Sequence, residues 1–166
     1  LFMAMAVKML RTNGEFVFIT PRSWTSGTYF KSFRSYFMDS MDIQRVHLFE
    51  SRNSVFKGKE GHSDDILQET MITYGKKSKS QSRNIIIAIS QNAQDLGKVK
   101  EIQVESGNCL PEGKEHYFVL PSDEEDLKVL NYMKKMPNTV EEAGFRFKTG
   151  QVVEFRNKEY IAWEKK

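Results

Sequence analysis

Residues 13–24, NGEFVFITPRSW, decide the fold class of this chain. Residues 15–20 form a short apolar run with β-branched and aromatic side chains, which predicts a strand covered on both faces. Pro21 ends that strand, because proline cannot donate to a strand ladder. An apolar helix is predicted before the strand, over residues 2–10, and another helix after it. This order predicts an α/β fold with a parallel sheet, and no glycine-rich nucleotide loop precedes it.

The second helix is predicted from its cap and its aromatic spacing. Ser26 is a suitable N-cap, and Phe30, Phe33 and Phe37 then fall on one helical face. We interpret these rings as core packing. Arg34 is predicted to lie on the exposed side of the same helix.

Composition limits the classes of function that need to be considered. The chain has 166 residues, 39% hydrophobic residues and a formal net charge of +3, which fits a globular protein and only weakly favours a polyanion partner. The single cysteine, Cys109, excludes an internal disulfide and fits a cytoplasmic location. The histidines, His47, His62 and His116, lack metal-ligand spacing and are interpreted as structural or surface groups, so no metal site is predicted.

Further strands are predicted over residues 43–49, 66–74, 84–90 and 99–104. The last three lack intervening helix patterns and are expected to pair as an antiparallel meander. A cluster of glycine, proline and asparagine after the final strand separates two predicted segments, residues 1–105 and residues 106–166. The second segment is predicted to be a small α+β appendage, with a helix over residues 123–135 and a hairpin over residues 145–155.

A long polar loop is predicted over residues 51–65, and it contains one phenylalanine, Phe56, which two lysines follow. Phe56 either anchors its loop to the core or offers a stacking platform for a flat ligand. Lys57 and Lys59 could then meet phosphates, or they could be solvated surface groups.

Several motifs in a fixed order give the chain a family resemblance. They read NG at 13–14, FITPRSW at 18–24, SGTYF at 26–30, FR at 33–34, VFK at 55–57, LQETMI at 67–72 and KTGQVVEFR at 148–156. In this order they resemble the gamma-class (Taq-type) adenine-specific DNA methyltransferases of restriction–modification systems. One departure is Asn13, which stands where that family has the first glycine of its turn.

The resemblance implies a fold and a mechanism. The fold would be the second half of a Rossmann-like methyltransferase sheet, with parallel strands that end in the antiparallel meander. Such an enzyme rotates an adenine out of the duplex and methylates its exocyclic amine with S-adenosylmethionine. By this resemblance Phe56 would stack on the flipped adenine, and Lys57 and Lys59 would contact the backbone of double-stranded DNA.

Two motifs of that family do not occur in the sequence: the glycine motif that binds the cofactor and the Asn-Pro-Pro-Tyr catalytic motif. We therefore expect the chain, which begins on Leu1, to be a fragment that alone binds S-adenosylmethionine negligibly and transfers no methyl group. No catalytic or cofactor-binding residue is assigned. The strand over residues 15–20 would then have an open edge, which could form a homodimer or pair with a chain supplying the missing half.

Two other classes of function remain open from the sequence. One is a noncatalytic nucleic-acid-binding module that uses Phe56 and the nearby lysines. The other is a protein-interaction domain that uses the strand edge.

Overall fold

The computed structural model describes residues 1–50, 69–92, 95 and 99–146. In chain order its elements are helix α1 (Phe2–Met9), strand β1 (Glu15–Pro21), 3₁₀ turns at Arg22–Thr25 and Thr28–Phe30, helix α2 (Lys31–Ser40), strands β2 (Met41–Phe49), β3 (Thr70–Lys77), β4 (Asn84–Ser90) and β5 (Lys100–Glu105), and helices α3 (Ser106–Cys109) and α4 (Glu124–Met133). The chain divides into two compact units, Leu1–Asn131 and Tyr132–Lys166. The functional division after residue 105 stays a prediction.

The five strands form one mixed sheet in the order β1-β3-β2-β4-β5. Strand β3 pairs antiparallel with both β1 and β2, β4 pairs parallel with β2, and β5 pairs antiparallel with β4. The predicted mixed α/β class is therefore confirmed in its coarse form. The predicted three-strand meander is wrong, because β3 inserts between β1 and β2 and never pairs with β4.

Hydrogen bonds in the β3–β4 connection explain this topology. The Asp42 carboxylate, at the start of β2, accepts bonds from the Ser82 backbone N–H at 2.6 Å and from the Ser82 hydroxyl at 2.7 Å. The Gln81 amide donates to the carbonyl oxygens of Met38 and Met41 at 2.8 and 2.9 Å. These bonds hold the β3–β4 connection against the start of β2, and β4 then pairs with the edge of β2 that is opposite β3.

The sheet buries one face against α1, α2 and α3, whose buried residues join a single core cluster with the strands. Phe16 of β1 and Phe37 of α2 meet edge to face, with ring centroids 5.5 Å apart. The alternate residues of β1 point the other way, and the side chains of Val17 and Ile19 are 65% and 48% exposed. The prediction that this strand is covered on both faces is therefore wrong in the part of the chain described, where β1 is an edge strand. A Rossmann-like arrangement stays a prediction.

Two local features near β1 concern residues singled out in the sequence, and the second corrects a prediction. The left-handed turn before β1 uses Asn13, with φ of 62°, and asparagine is among the non-glycine residues that adopt this region most readily. Helix α2 begins at Lys31 rather than after Ser26, because the 3₁₀ turn at Thr28–Phe30 precedes it.

The helix predicted over residues 123–135 is observed as α4, and Asp123 caps it by accepting a bond from the Asp126 N–H at 2.9 Å. The predicted hairpin over residues 145–155 falls mostly outside the described residues.

Candidate nucleic-acid interface

The sheet topology brings the carboxyl ends of three strands to one edge. Strands β1 and β2 both run antiparallel to β3, and β4 runs parallel to β2, so β1, β2 and β4 all end at this edge. The long predicted loop leaves β2 there and re-enters the sheet at β3. Ligands of open α/β sheets commonly bind at such an edge, where neighbouring loops diverge. We call it the carboxyl edge.

The three predicted site residues, Phe56, Lys57 and Lys59, lie outside the described residues. Their stacking and phosphate-binding roles therefore stay predictions. The structure does describe both ends of their loop, at Glu50 and at Glu69.

The end of β1 is joined to the root of that loop. The Arg22 backbone N–H donates to the Glu69 carbonyl oxygen at 2.8 Å, which extends the pairing of β1 with β3 by one bond. The Arg22 guanidinium lies 4.0 Å from the Glu69 carboxylate, and these side chains are 38% and 44% exposed. An ion pair this long and this exposed contributes little stability. The guanidinium is therefore available for a stronger anionic partner.

A cavity of about 590 Å³ opens beside this pair. Its described lining combines one guanidinium, one carboxylate, three serine or threonine side chains, two aromatic and two aliphatic side chains: Arg22, Glu69, Ser23, Thr25, Ser26, Tyr117, Phe118, Val119 and Leu120. We call it the Arg22 cavity. Its two walls are joined directly, because the Phe118 N–H donates to the Thr25 carbonyl oxygen at 2.9 Å.

Arg34 holds the same two walls together from behind. Its guanidinium is fully buried and donates to the carbonyl oxygens of Trp24 at 3.0 Å and Gly27 at 2.6 Å on one wall. On the segment leading into the other wall it donates to Glu115 at 2.8 Å and His116 at 3.0 Å. The prediction that Arg34 lies on the exposed side of its helix is therefore wrong.

The Arg34 charge also reaches the cavity lining. Its guanidinium carbon lies 5.3 Å from the centroid of the Tyr117 ring, within the range of a cation–π contact. Arg34 thus fixes the position of a cavity residue without itself lining the cavity.

The ends of β2 and β4 carry a buried polar pair. The His47 Nε2 lies 2.8 Å from the Ser90 hydroxyl, and that hydroxyl donates its proton to the Asn92 carbonyl oxygen at 3.2 Å. The histidine Nε2 must therefore be the donor to Ser90. Burial, and then the charge of Arg45, lower the pKa of His47 below its ordinary value of 6.5, so the ring is neutral at pH 7.

The His47 ring also contacts Phe49, with centroids 4.7 Å apart. This arrangement fits a histidine that ties two parallel strands together. Sequence reasoning had grouped it with the structural histidines.

Within the described ranges, no group of three or more histidine, cysteine, aspartate or glutamate side chains is placed to hold a metal ion. In the same ranges no helix has the length and apolar character needed to cross a membrane.

The chain is similar in sequence to methyltransferases of restriction–modification systems. Residues 1–56 match the Eco57I restriction-modification methylase family. The chain is 30% identical over 164 residues to the type II methyltransferase M.PstI of Providencia stuartii, covering 98% of this chain and 31% of that protein. It is 32% identical over 164 residues to the type II methyltransferase M.BsuBI of Bacillus subtilis, covering 96% of this chain and 30% of that protein.

These matches confirm the predicted relationship to restriction–modification methyltransferases. The chain spans a little under one third of the length of these two relatives. The solved structure of the type IIG restriction endonuclease BpuSI is also similar, with a TM-score of 0.46 and 12% identity over 63% of this chain and 14% of that one. That similarity is too low to carry any inference.

Proposed function

We propose that the protein is part of an S-adenosylmethionine-dependent DNA adenine-N6 methyltransferase of a restriction–modification system. In this proposal it supplies the stacking side of the flipped-base pocket through Phe56, and DNA backbone contacts through Lys57 and Lys59. The observation that carries the proposal is the match to the M.PstI methyltransferase along 98% of the chain. The protein would act in the cytoplasm, where its DNA substrate lies.

The energetics of base flipping explain why an aromatic residue is needed. Extracting a base from the duplex costs a few kcal/mol, and stacking on an aromatic side chain returns about 1–3 kcal/mol per base. The loop that carries Phe56 leaves and re-enters the sheet at the carboxyl edge, beside the Arg22 cavity. A flipped base held by Phe56 would therefore lie close to that edge.

The described lining of the Arg22 cavity does not fit a site for S-adenosylmethionine. Among the described residues that line the Arg22 cavity, the one carboxylate is Glu69, which faces Arg22, and none of these residues is a glycine. We therefore assign no cofactor-binding residue in this chain. In the proposal, the methyl donor is bound by parts of the enzyme other than these 166 residues.

The open edge of β1 supports a protein partner as part of this proposal. In the described part of the chain β3 is the one strand that pairs with β1, and β1 exposes Val17 and Ile19. An unpaired apolar edge is a template for another strand. The partner is either a second copy, which would give a homodimer, or a chain that carries the methyl-donor half.

Methyl transfer to duplex DNA tests the proposal. The segment would be compared alone and inserted in place of the matching segment of M.PstI, with intact M.PstI as the positive control. We expect N6-methyladenine from the chimera and none from the segment alone. Folding of the chimera would be checked by a cooperative unfolding transition. A folded chimera that transfers no methyl group, or that methylates cytosine, would refute the proposal, and activity of the segment alone would refute its dependence on other parts.

Variants of the chimera test the role of Phe56. Phe56→Ala should reduce methyl transfer about five- to 150-fold, because the lost stacking is worth about 1–3 kcal/mol. Phe56→Tyr should retain activity. Phe145→Ala is the matched control, since Phe145 is a 65% exposed phenylalanine in the other compact unit. Equal losses for Phe56→Ala and Phe145→Ala would remove the stacking role.

A further inference from the structure

The Arg22 cavity has the donor set of a phosphate site. Arg22 offers a planar fork of N–H donors, and the hydroxyls of Ser23 and Ser26 stand on the same wall in exposed positions. Guanidinium and hydroxyl groups are the side chains that most often bind DNA phosphate oxygens. The cavity is open to solvent and large enough for a phosphodiester and its neighbouring sugar.

The charge behind the cavity favours an anion. The hydrogen bonds described for the buried Arg34 guanidinium all go to main-chain carbonyl oxygens, so none of them neutralises its charge. The nearby Glu115 carboxylate is occupied by Lys31, whose ammonium donates to it at 2.6 Å. Among the described residues, two guanidinium groups therefore act on the cavity, against the carboxylate of Glu69 in its lining and that of Glu115, which Lys31 also binds.

Glu69 and Arg22 form a contact that a phosphate can replace. The 4.0 Å separation is too long for a hydrogen bond, so Glu69 does not occupy the donors of the guanidinium. Part of the guanidinium and part of the carboxylate are in contact with water, which lowers the cost of separating them. The negative charge of Glu69 repels a phosphate and so lowers the affinity of the cavity for it.

We propose that the Arg22 cavity binds a backbone phosphate of the substrate DNA, with Arg22 as the principal ligand and Glu69 as its competitor. This inference rests on the proposed function, because it takes DNA as the substrate. It adds a contact on the end of β1, whereas the predicted contacts Lys57 and Lys59 lie on the long loop. The loop returns to the sheet at Glu69, so both sets of contacts would serve one DNA-facing edge.

Salt-dependent DNA binding tests the assignment. Fluorescence anisotropy of a labelled duplex of about 20 base pairs would be measured from 50 to 200 mM NaCl with the full chain. The matched control is Arg83, which stands 3.9 Å from Glu105 in a similar surface pair at the opposite edge of the sheet. The variants are Arg22→Gln, Arg22→Lys, Glu69→Gln and Arg83→Gln.

We expect Arg22→Gln to weaken binding about five- to tenfold at low salt and to reduce the slope of log affinity against log salt by about 1. Arg22→Lys should bind with intermediate affinity, because it keeps the charge and loses the fork. Glu69→Gln should strengthen binding two- to threefold, on the order of the weak effect of an exposed charge. Arg83→Gln should remain within about twofold of the unmodified chain.

Each outcome is decisive. Equal effects of Arg22→Gln and Arg83→Gln would overturn the phosphate site while leaving the proposed function intact. Weaker binding of Glu69→Gln would overturn the competitor role. If the unmodified chain binds no duplex at low salt, this inference and the proposed DNA contacts both fail, whereas the methyl-transfer experiment still tests the enzyme class. Thermal unfolding of Arg22→Lys shows whether any loss comes from misfolding.

Discussion

Replacing Arg34 by methionine keeps a long side chain in place and removes every donor of the guanidinium. Four carbonyl oxygens then lose a hydrogen bond, those of Trp24, Gly27, Glu115 and His116. The Gly27 oxygen still accepts a bond from the Phe30 N–H at 3.0 Å. The bond to Trp24 is buried, and the other bonds are partly buried. Water can therefore replace the guanidinium at some acceptors and not at all of them.

The expected loss follows from these contacts. A buried acceptor left without its donor costs about 1–3 kcal/mol, and the cost is highest where the donor was charged. With one acceptor sealed from water and three partly hydrated, Arg34→Met should lower the free energy of unfolding by about 3–5 kcal/mol. For a unit of this size that corresponds to a decrease in Tm on the order of 10 °C.

Urea and thermal unfolding, followed by tryptophan fluorescence and far-ultraviolet circular dichroism, would measure this loss. Trp24 is a useful probe because it is buried and its carbonyl oxygen binds Arg34 directly. Arg83→Met is the matched control, and since its side chain is 87% exposed it should change stability by no more than about 0.5 kcal/mol. A loss below about 1 kcal/mol in Arg34→Met would refute the view that this guanidinium holds the cavity walls together.

Three further predictions concern the sheet. A methyl group on Gly75 would collide with a backbone oxygen of β2, so Gly75→Ala should lower the free energy of unfolding in urea by about 1–3 kcal/mol. A methyl group on Gly107 would meet no atom, so Gly107→Ala should leave that free energy unchanged, and equal effects of the two variants would contradict the close approach at Gly75. Burial lowers the pKa of His47, so the stability it contributes is complete above pH 6.5 and is lost as the pH falls from there toward the lowered pKa. His47→Gln should therefore flatten the pH profile of the unfolding free energy below pH 6.5, and an unchanged profile in this variant would refute the assignment. Val17→Lys should abolish self-association through β1 in analytical ultracentrifugation, and a clean monomer of the unmodified chain at high concentration would exclude the homodimer.

The sequence predicted where the helices and strands lie along the chain better than it predicted which strands pair. The run of residues 84–90 was identified as a strand with the bounds that β4 has, because a short apolar stretch between polar turns is a local signal. Pairing is not local. That β3 lies between β1 and β2 depends on Asp42, whose hydrogen bonds with Ser82 cross the start of β2, and no periodicity reports such a bond.

Arg34 was misplaced for a similar reason. An arginine between phenylalanines on a helix is usually a solvated group, and local pattern gives no sign of acceptors elsewhere in the chain. Its burial depends on carbonyl oxygens of Glu115 and His116, far along the sequence. The one signal of Arg34 in the sequence is the Phe33-Arg34 pair, which is among the motifs of the family resemblance but does not indicate that the arginine is buried.

The candidate site shows the same difference between local signals and contacts that only the fold creates. Phe56, Lys57 and Lys59 came from a loop composition and a family resemblance, and they remain predictions. The Arg22 cavity was missed, because its residues come from three separate segments and only the fold brings them together. Arg22 itself stood in the stretch that decided the fold class, where it had been noted only as part of a motif.

Photo-crosslinking to duplex DNA tests most directly whether the carboxyl edge faces the substrate. A benzophenone amino acid would be introduced at Ser23, which is exposed and lines the cavity, or at Arg83 on the opposite edge of the sheet. If the carboxyl edge faces DNA, we expect a crosslink from position 23 that excess unlabelled duplex removes, and none from position 83. Crosslinking from position 83 alone, or equally from both positions, would contradict it.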